Sequence, residues 1–205
     1  PSHLIRRGSI YATSLFVLAL NSQANIFLIS ILLSEKEVGI YSVGNSITEL
    51  LKQVPLSVGV VLFSRSLSWN PTSAEKNFSN VLMMARIMIF LIIITAFILL
   101  VTAHYMIPLV YGSSFVGSRD VLALLLPGYV SFAIFLFLHF YAAGQGSPHM
   151  SLRGFLPSLL LVCVFSFLLI PEFGINGAAV ASSFSYLFGF LLYFKHFRRK
   201  YPCRY

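Results

Sequence analysis

Long apolar runs recur along this 205-residue chain, and they constrain its fold more than any other feature. A helix needs roughly 20 mostly apolar residues to cross a bilayer core about 30 Å thick. Six runs have about this length, and the segments between them are rich in residues that favour turns. The predicted spans cover residues 8–33, 38–63, 81–107, 121–143, 152–170 and 177–194. The sequence therefore predicts an all-α integral membrane protein in which residues 1–205 form a single six-helix transmembrane unit.

The composition excludes a soluble enzyme. Hydrophobic residues make up 58% of the chain and charged residues 10%, whereas soluble domains have about 25% charged residues. Cys163 lies in an apolar run and Cys203 in a basic tail, which is not the pattern of a disulfide framework. The sequence lacks a Ser-His-Asp set, an HExxH motif, clustered Cys and His, and a glycine-rich phosphate loop. We therefore expect no catalytic residues, no metal site and no cofactor.

The distribution of basic residues predicts an orientation. The chain has 14 Lys and Arg against 6 Asp and Glu. Nearly all Lys and Arg outside the spans fall on the side that holds both termini, and only Lys36 and Arg119 fall on the other side. The positive-inside rule then predicts that both termini are cytoplasmic. We interpret the basic C-terminal tail as a topology anchor in contact with membrane lipids, and we expect no nucleic-acid partner.

Polar residues interrupt the first two spans near their centres. Asn21 and Asn25 lie in the first span. Asn45, Glu49 and Lys52 lie on one narrow face of the second span, with Ser42 and Gln53 along the edge of that face. A charge at the bilayer centre costs about 2.5 to 3.5 kcal/mol, so such groups face a bundle interior or a watery cavity. Glu49 and Lys52 are three residues apart and can pair on a helix. Two interpretations remain open: a hydrated substrate or ion cavity, or polar contacts that hold helices together.

Three stretches carry a resemblance to one transporter family. NIFLISILLSEKEVGIYSVGNSITELLKQVP at 25–55 is similar to the family's span, short loop and "VGxY" entry to the next helix. IPLVYGSSFVGSRDVLALLLPG at 107–128 resembles its outer loop and "LLPG" helix, and IPEFGINGAAVASSFSY at 170–186 resembles its "IPxxGxxGAAxAS" junction. The chain therefore resembles the C-terminal half of the polysaccharide biosynthesis flippases, the Wzx-type transporters of the MATE-like MOP superfamily.

The resemblance implies one lobe of a two-lobe transporter, with an N-terminal lobe upstream. Such proteins move polyprenyl diphosphate-linked oligosaccharide repeat units across the cell inner (plasma) membrane by alternating access, without hydrolysis, for surface polysaccharides such as O-antigen and lipopolysaccharide. Polysaccharide polymerase machinery is a further implied partner. The implied substrate cavity comprises Asn21, Asn25, Asn45, Glu49 and Lys52, with Lys52 as a contact for the anionic diphosphate.

Ion coupling is a separate expectation. Many relatives carry an acidic residue in the middle of the first helix of this lobe, where the present chain has the uncharged segment Asn21 to Asn25. Glu49 is therefore the candidate for coupling to H⁺ or Na⁺. Two alternatives remain: a MATE-like cation-coupled exporter of small molecules with Glu49 as its cation site, or a non-transporting structural membrane protein.

Overall fold

The computed structural model describes residues 2–67, 74–147 and 149–200, and it is helical over almost all of these ranges. Strands are absent from the described ranges, which confirms the predicted all-α class. Within these ranges, five helical segments are long and apolar enough to cross a membrane: Gly8–Leu32, Glu35–Ser66, Asn80–Tyr111, Ser118–Gly144 and His149–Lys200. The helices are α1 (Ser2–Leu32), α2 (Glu35–Glu49), α3 (Gln53–Leu67), α4 (Ala74–Tyr111), α5 (Ser118–Gly144) and α6 (His149–Lys200).

Helices α2 and α3 form one continuous segment that contains a 3₁₀ turn at Leu50–Lys52. Pro55 supplies the physical reason for this turn. Proline lacks a backbone N–H and its ring crowds the carbonyl four residues earlier, here that of Leu51. The chain tightens locally instead of continuing the regular α-helical hydrogen bonds. As a result, the predicted second span has its irregular turn in the middle, with Glu49 and Lys52 at its two ends.

Helix α6 is 52 residues long and reverses direction at Gly174. The backbone there has φ 59° and ψ −140°, a conformation that glycine adopts and other residues rarely do. A first arm (149–173) and a second arm (175–200) pack antiparallel, since a Cβ atom on Gly154 would lie only 2.8 Å from the carbonyl oxygen of Gly189. The predicted spans 152–170 and 177–194 lie on these two arms. Six crossings require each arm of α6 to cross the membrane separately, and this count stays a prediction.

Helix α5 is the centre of the bundle, in contact with α2, α3, α4 and α6. In its apolar stretch 67% of the residues are buried, against 17% in α4. Helix α5 runs parallel to the α2–α3 segment: Gly44 packs against Ser118 near one end, and Gly144 packs against Ser66 near the other. The exposed apolar surface of α4 suits contact with lipid.

The second arm of α6 also runs parallel to α5. Ser183 donates a hydrogen bond to the carbonyl of Leu124, and further along both helices Tyr193 donates one to the carbonyl of Leu138 at 3.0 Å. These directions agree with a chain that crosses the membrane six times, because α2–α3, α5 and the second arm would then be the even-numbered crossings.

Candidate functional site

Glu49 and Lys52 form the predicted ion pair at the 3₁₀ turn. The Nζ atom of Lys52 lies 2.7 Å from Oε1 of Glu49, and it donates a second hydrogen bond, 3.2 Å long, to the hydroxyl of Ser22 on α1. The side chain of Lys52 is 15% exposed and that of Glu49 is 30% exposed. The pair therefore lies at the surface of the bundle, where a ligand can reach it.

Two aromatic rings of α5 complete the surroundings of Lys52. Its Nζ atom lies 5.3 Å from the ring centroid of Tyr129 and 5.8 Å from that of Phe132, within the range of cation–π attraction. The Tyr129 hydroxyl donates a 2.7 Å hydrogen bond to Oδ1 of Asn45 and lies 3.5 Å from Oε1 of Glu49. Tyr129 thus joins the three predicted residues of the second span to the central helix.

Asn25 is the centre of a separate buried network. Its Nδ2 atom lies 3.2 Å from the Tyr41 hydroxyl and 3.2 Å from the carbonyl oxygen of Ala178, and it also contacts the Ser182 hydroxyl. Its Oδ1 atom accepts a 2.5 Å hydrogen bond from Ser166. One amide therefore connects α1, α2 and both arms of α6.

Asn21, one turn earlier, ties α1 to the same two arms. Its Nδ2 atom donates to the carbonyl of Phe155 at 3.0 Å, and its backbone carbonyl accepts a 2.9 Å hydrogen bond from Tyr186. Asn21, Asn25 and Asn45 are only 1%, 3% and 5% exposed. In this conformation the three amides hold helices together, and their predicted contact with substrate would require the helices to separate.

An exposed row of polar residues runs along the α2–α3 segment. Its members recur every three or four residues, which places them on one side of a helix. We call this row the polar stripe, and it consists of Ser42, Ser46, Glu49, Gln53 and Ser57. Ser46, Gln53 and Ser57 are exposed, and Ser42 and Glu49 are half-buried. Sequence reasoning missed Ser46 and Ser57, although the same spacing continued along the helix would have found them.

The polar stripe offers hydrogen-bond donors and acceptors, and Glu49 within it is paired with the neighbouring Lys52, so that the pair has nearly zero net charge. An ammonium group carries three N–H donors, and Glu49 and Ser22 account for two of those on Lys52. The third can be given to a ligand oxygen. Hydroxyl and amide groups at Ser46, Gln53 and Ser57 suit the hydroxyl groups of a sugar. An anionic ligand at Lys52 would compete with the Glu49 carboxylate.

Comparison with known proteins assigns the chain to a family. Residues 2–120, which contain the polar stripe and all of the predicted site residues, match the polysaccharide biosynthesis protein family. The chain belongs to that family. This confirms the family that its motifs resemble, while the assignment to the C-terminal half stays a prediction.

This polysaccharide biosynthesis protein is also similar to a curated archaeal protein. It is 24% identical over 166 residues to the probable low-salt glycan biosynthesis flippase Agl15 of Haloferax volcanii. The alignment covers 80% of the present chain but 35% of Agl15, so the chain spans about a third of that relative's length. No solved structure matches the chain.

Proposed function

We propose that this polysaccharide biosynthesis protein forms one lobe, the C-terminal half, of a flippase for lipid-linked oligosaccharides. The observation that carries the proposal is the polar stripe, an exposed polar row along a segment long and apolar enough to cross a membrane. Exposed polar and charged groups at membrane depth face a cavity or a protein partner instead of lipid tails. A pathway for a polar headgroup needs such a surface.

In the proposed arrangement a second lobe, supplied by the rest of a longer protein, faces the polar stripe. The oligosaccharide and its diphosphate pass between the lobes, while the polyprenyl chain stays in the bilayer. Rocking of the lobes exposes the stripe to each side of the membrane in turn. The work is translocation, so the protein acts as a transporter and needs no hydrolytic residues.

We assign separate roles to the site residues. Gln53, Ser46 and Ser57 contact sugar hydroxyls, and Lys52 donates to the diphosphate. The buried amides Asn21, Asn25 and Asn45 maintain the wall behind the stripe. Protonation of Glu49, or cation binding to it, weakens its bond to Lys52 and so frees the ammonium for the diphosphate. Glu49 is thereby the proposed coupling site for H⁺ or Na⁺.

The two alternatives fit the geometry less well. In a small-molecule exporter Glu49 alone would bind the cation, and the exposed hydroxyl and amide groups of Ser46, Gln53 and Ser57 would have no role. A purely structural membrane protein would bury its polar groups between helices, as Asn25 is buried. It would leave the exposed members of the polar stripe without a role.

Export of surface polysaccharide by the full-length protein tests the proposal. Gln53→Leu and Lys52→Ala should each reduce export strongly while the protein remains in the membrane, because each removes a group that contacts the substrate. Val54→Leu is the matched control: Val54 is also exposed but lies about 100° around the helix from Gln53. Normal export by both test variants, at normal protein level, would refute a role of the polar stripe in transport.

A further inference from the structure

A basic pocket lies between the two arms of α6, at the end opposite the reversal at Gly174. Its volume is about 350 Å³. The first arm contributes its first residues and the second arm its last, and we call the space between them the basic pocket. Its lining consists of His149, Met150, Arg153, His196, Arg199 and Lys200. No acidic residue is among the described residues that line it.

Several contacts give the basic pocket a defined shape. Lys200 donates a hydrogen bond to the Ser147 hydroxyl, which ties the end of the second arm to the segment before the first. The His196 ring is held by a 2.8 Å hydrogen bond from Nδ1 to the carbonyl of Leu192. Further along the arms, Gly154 and Gly189 bring the two helices into contact.

The chemistry of the lining favours a phosphate group. Arginine presents several N–H donors in a planar fork that matches phosphate oxygens, and Arg153 and Arg199 come from opposite sides of the pocket. The helix ends add little, because the amino terminus of the first arm and the carboxyl terminus of the second lie at the same place and their partial charges are of opposite sign. The pocket thus combines cationic side chains from both arms.

The surface beside the basic pocket is apolar. Leu156 and Leu160 are exposed further along the first arm, on the side of the helix that His149 and Arg153 occupy. The pocket therefore opens where the apolar surface of the first arm gives way to basic residues, as expected at the boundary of the hydrocarbon core. A ligand that fits both surfaces has a phosphate at one end and hydrocarbon chains at the other.

We propose that the basic pocket binds the phosphate of an anionic membrane phospholipid, whose acyl chains lie along the apolar surface of the first arm. Basic pockets between membrane helices are known to take lipid headgroups of this charge. The proposal is independent of the transport function and of the polar stripe, because the pocket lies on a different helix and requires no second lobe.

Native mass spectrometry of the full-length protein, released from a neutral detergent, tests the proposal with phosphatidylglycerol as the probe. Phosphatidylcholine with the same acyl chains is the control lipid. Each Lys or Arg near an anionic lipid surface contributes about a fivefold gain in affinity. Arg153→Gln/Arg199→Gln should therefore bind phosphatidylglycerol about 25-fold more weakly and phosphatidylcholine unchanged.

A matched control variant distinguishes lipid binding in the basic pocket from general electrostatic attraction of the lipid to the basic end of α6. Lys195→Gln/Arg198→Gln removes the same charge from the same end of α6, but neither residue lines the basic pocket. Because neither side chain reaches the bound phosphate, this control should lose less affinity than Arg153→Gln/Arg199→Gln. An equal loss in both double variants, or no loss in either, would overturn the proposal.

Two further measurements complete the test. Inorganic phosphate, added at the lipid's concentration, should displace little lipid, and full displacement would show a site for free phosphate and overturn the lipid proposal. Arg153 and Arg199 are exposed, so their replacement should leave the unfolding midpoint unchanged. If the double variant does not fold, Arg153→Gln and Arg199→Gln singly should each weaken binding about fivefold, and unchanged binding in both would refute the site.

Discussion

The ion pair between Lys52 and Glu49 gives a prediction that separates stability from transport. Lys52→Met removes the cation and leaves the Glu49 carboxylate without its 2.7 Å partner near the middle of a membrane span. Glu49→Gln keeps a side-chain oxygen that can still accept a hydrogen bond from Lys52. The double variant removes both charges. The three variants form a double-mutant cycle, which isolates the interaction between the two residues.

The expected magnitudes follow from the contacts of Lys52. A hydrogen bond between charged groups contributes about 1.5 to 3 kcal/mol, and an exposed cation–π contact about 0.5 to 1 kcal/mol. Glu49 is 30% exposed, so solvent screens part of the charge interaction. Lys52→Met should lower the free energy of unfolding by about 2 kcal/mol and Glu49→Gln by about 1 kcal/mol. The double variant should lose about 1.5 kcal/mol, less than Lys52→Met alone, because no unpaired charge remains.

Unfolding of the full-length protein in detergent micelles measures the stability, and surface polysaccharide measures the transport. The double variant should be more stable than Lys52→Met but export little polysaccharide, because it lacks the ammonium that contacts the diphosphate. Additive losses of stability would show that the two residues do not interact. Normal export by the double variant would remove the ion pair from the transport pathway.

Two further predictions concern the buried network and the reversal of α6. Asn25→Leu should lower the free energy of unfolding by about 2 kcal/mol, at about 0.6 kcal/mol for each of its interhelical hydrogen bonds. Gln23→Leu, at an exposed position of the same helix, should change the free energy of unfolding little. Equal effects of the two substitutions would contradict the buried network. Gly174→Ala should lower the free energy of unfolding by on the order of 1 to 3 kcal/mol, because the backbone at Gly174 has a positive φ. Gly8→Ala, in an open helical position, should leave the free energy of unfolding unchanged or raise it slightly. Both pairs can be compared by denaturant unfolding in micelles, and a neutral Gly174→Ala would contradict the strained turn.

The local features of this protein could be predicted from its sequence. The apolar runs indicated membrane helices because hydrophobic length is a property of each segment alone. The pairing of Glu49 with Lys52 followed from their spacing on one helix. Both predictions depend only on neighbours in the chain.

Contacts between distant segments could not be predicted in this way. Tyr129 reaches Asn45 across 84 residues of sequence, and only because α5 packs against α2. The same limitation applies to the amides. Polar residues in a span indicate a protected face, but they do not distinguish a cavity wall from a contact between helices. The structure separates these cases, because Asn25 is buried between α1, α2 and both arms of α6, while Gln53 is exposed.

Water accessibility of the polar stripe tests the central claim most directly. Single cysteines at Ser46 and Gln53, in a full-length protein whose native cysteines, among them Cys163 and Cys203, are replaced by Ser, would be treated in intact membranes with a membrane-impermeant maleimide. Val54→Cys and Phe97→Cys are the controls on exposed apolar surfaces. The account predicts labelling at positions 46 and 53 and protection at 54 and 97. Protection at all four positions would contradict a hydrated pathway along the polar stripe.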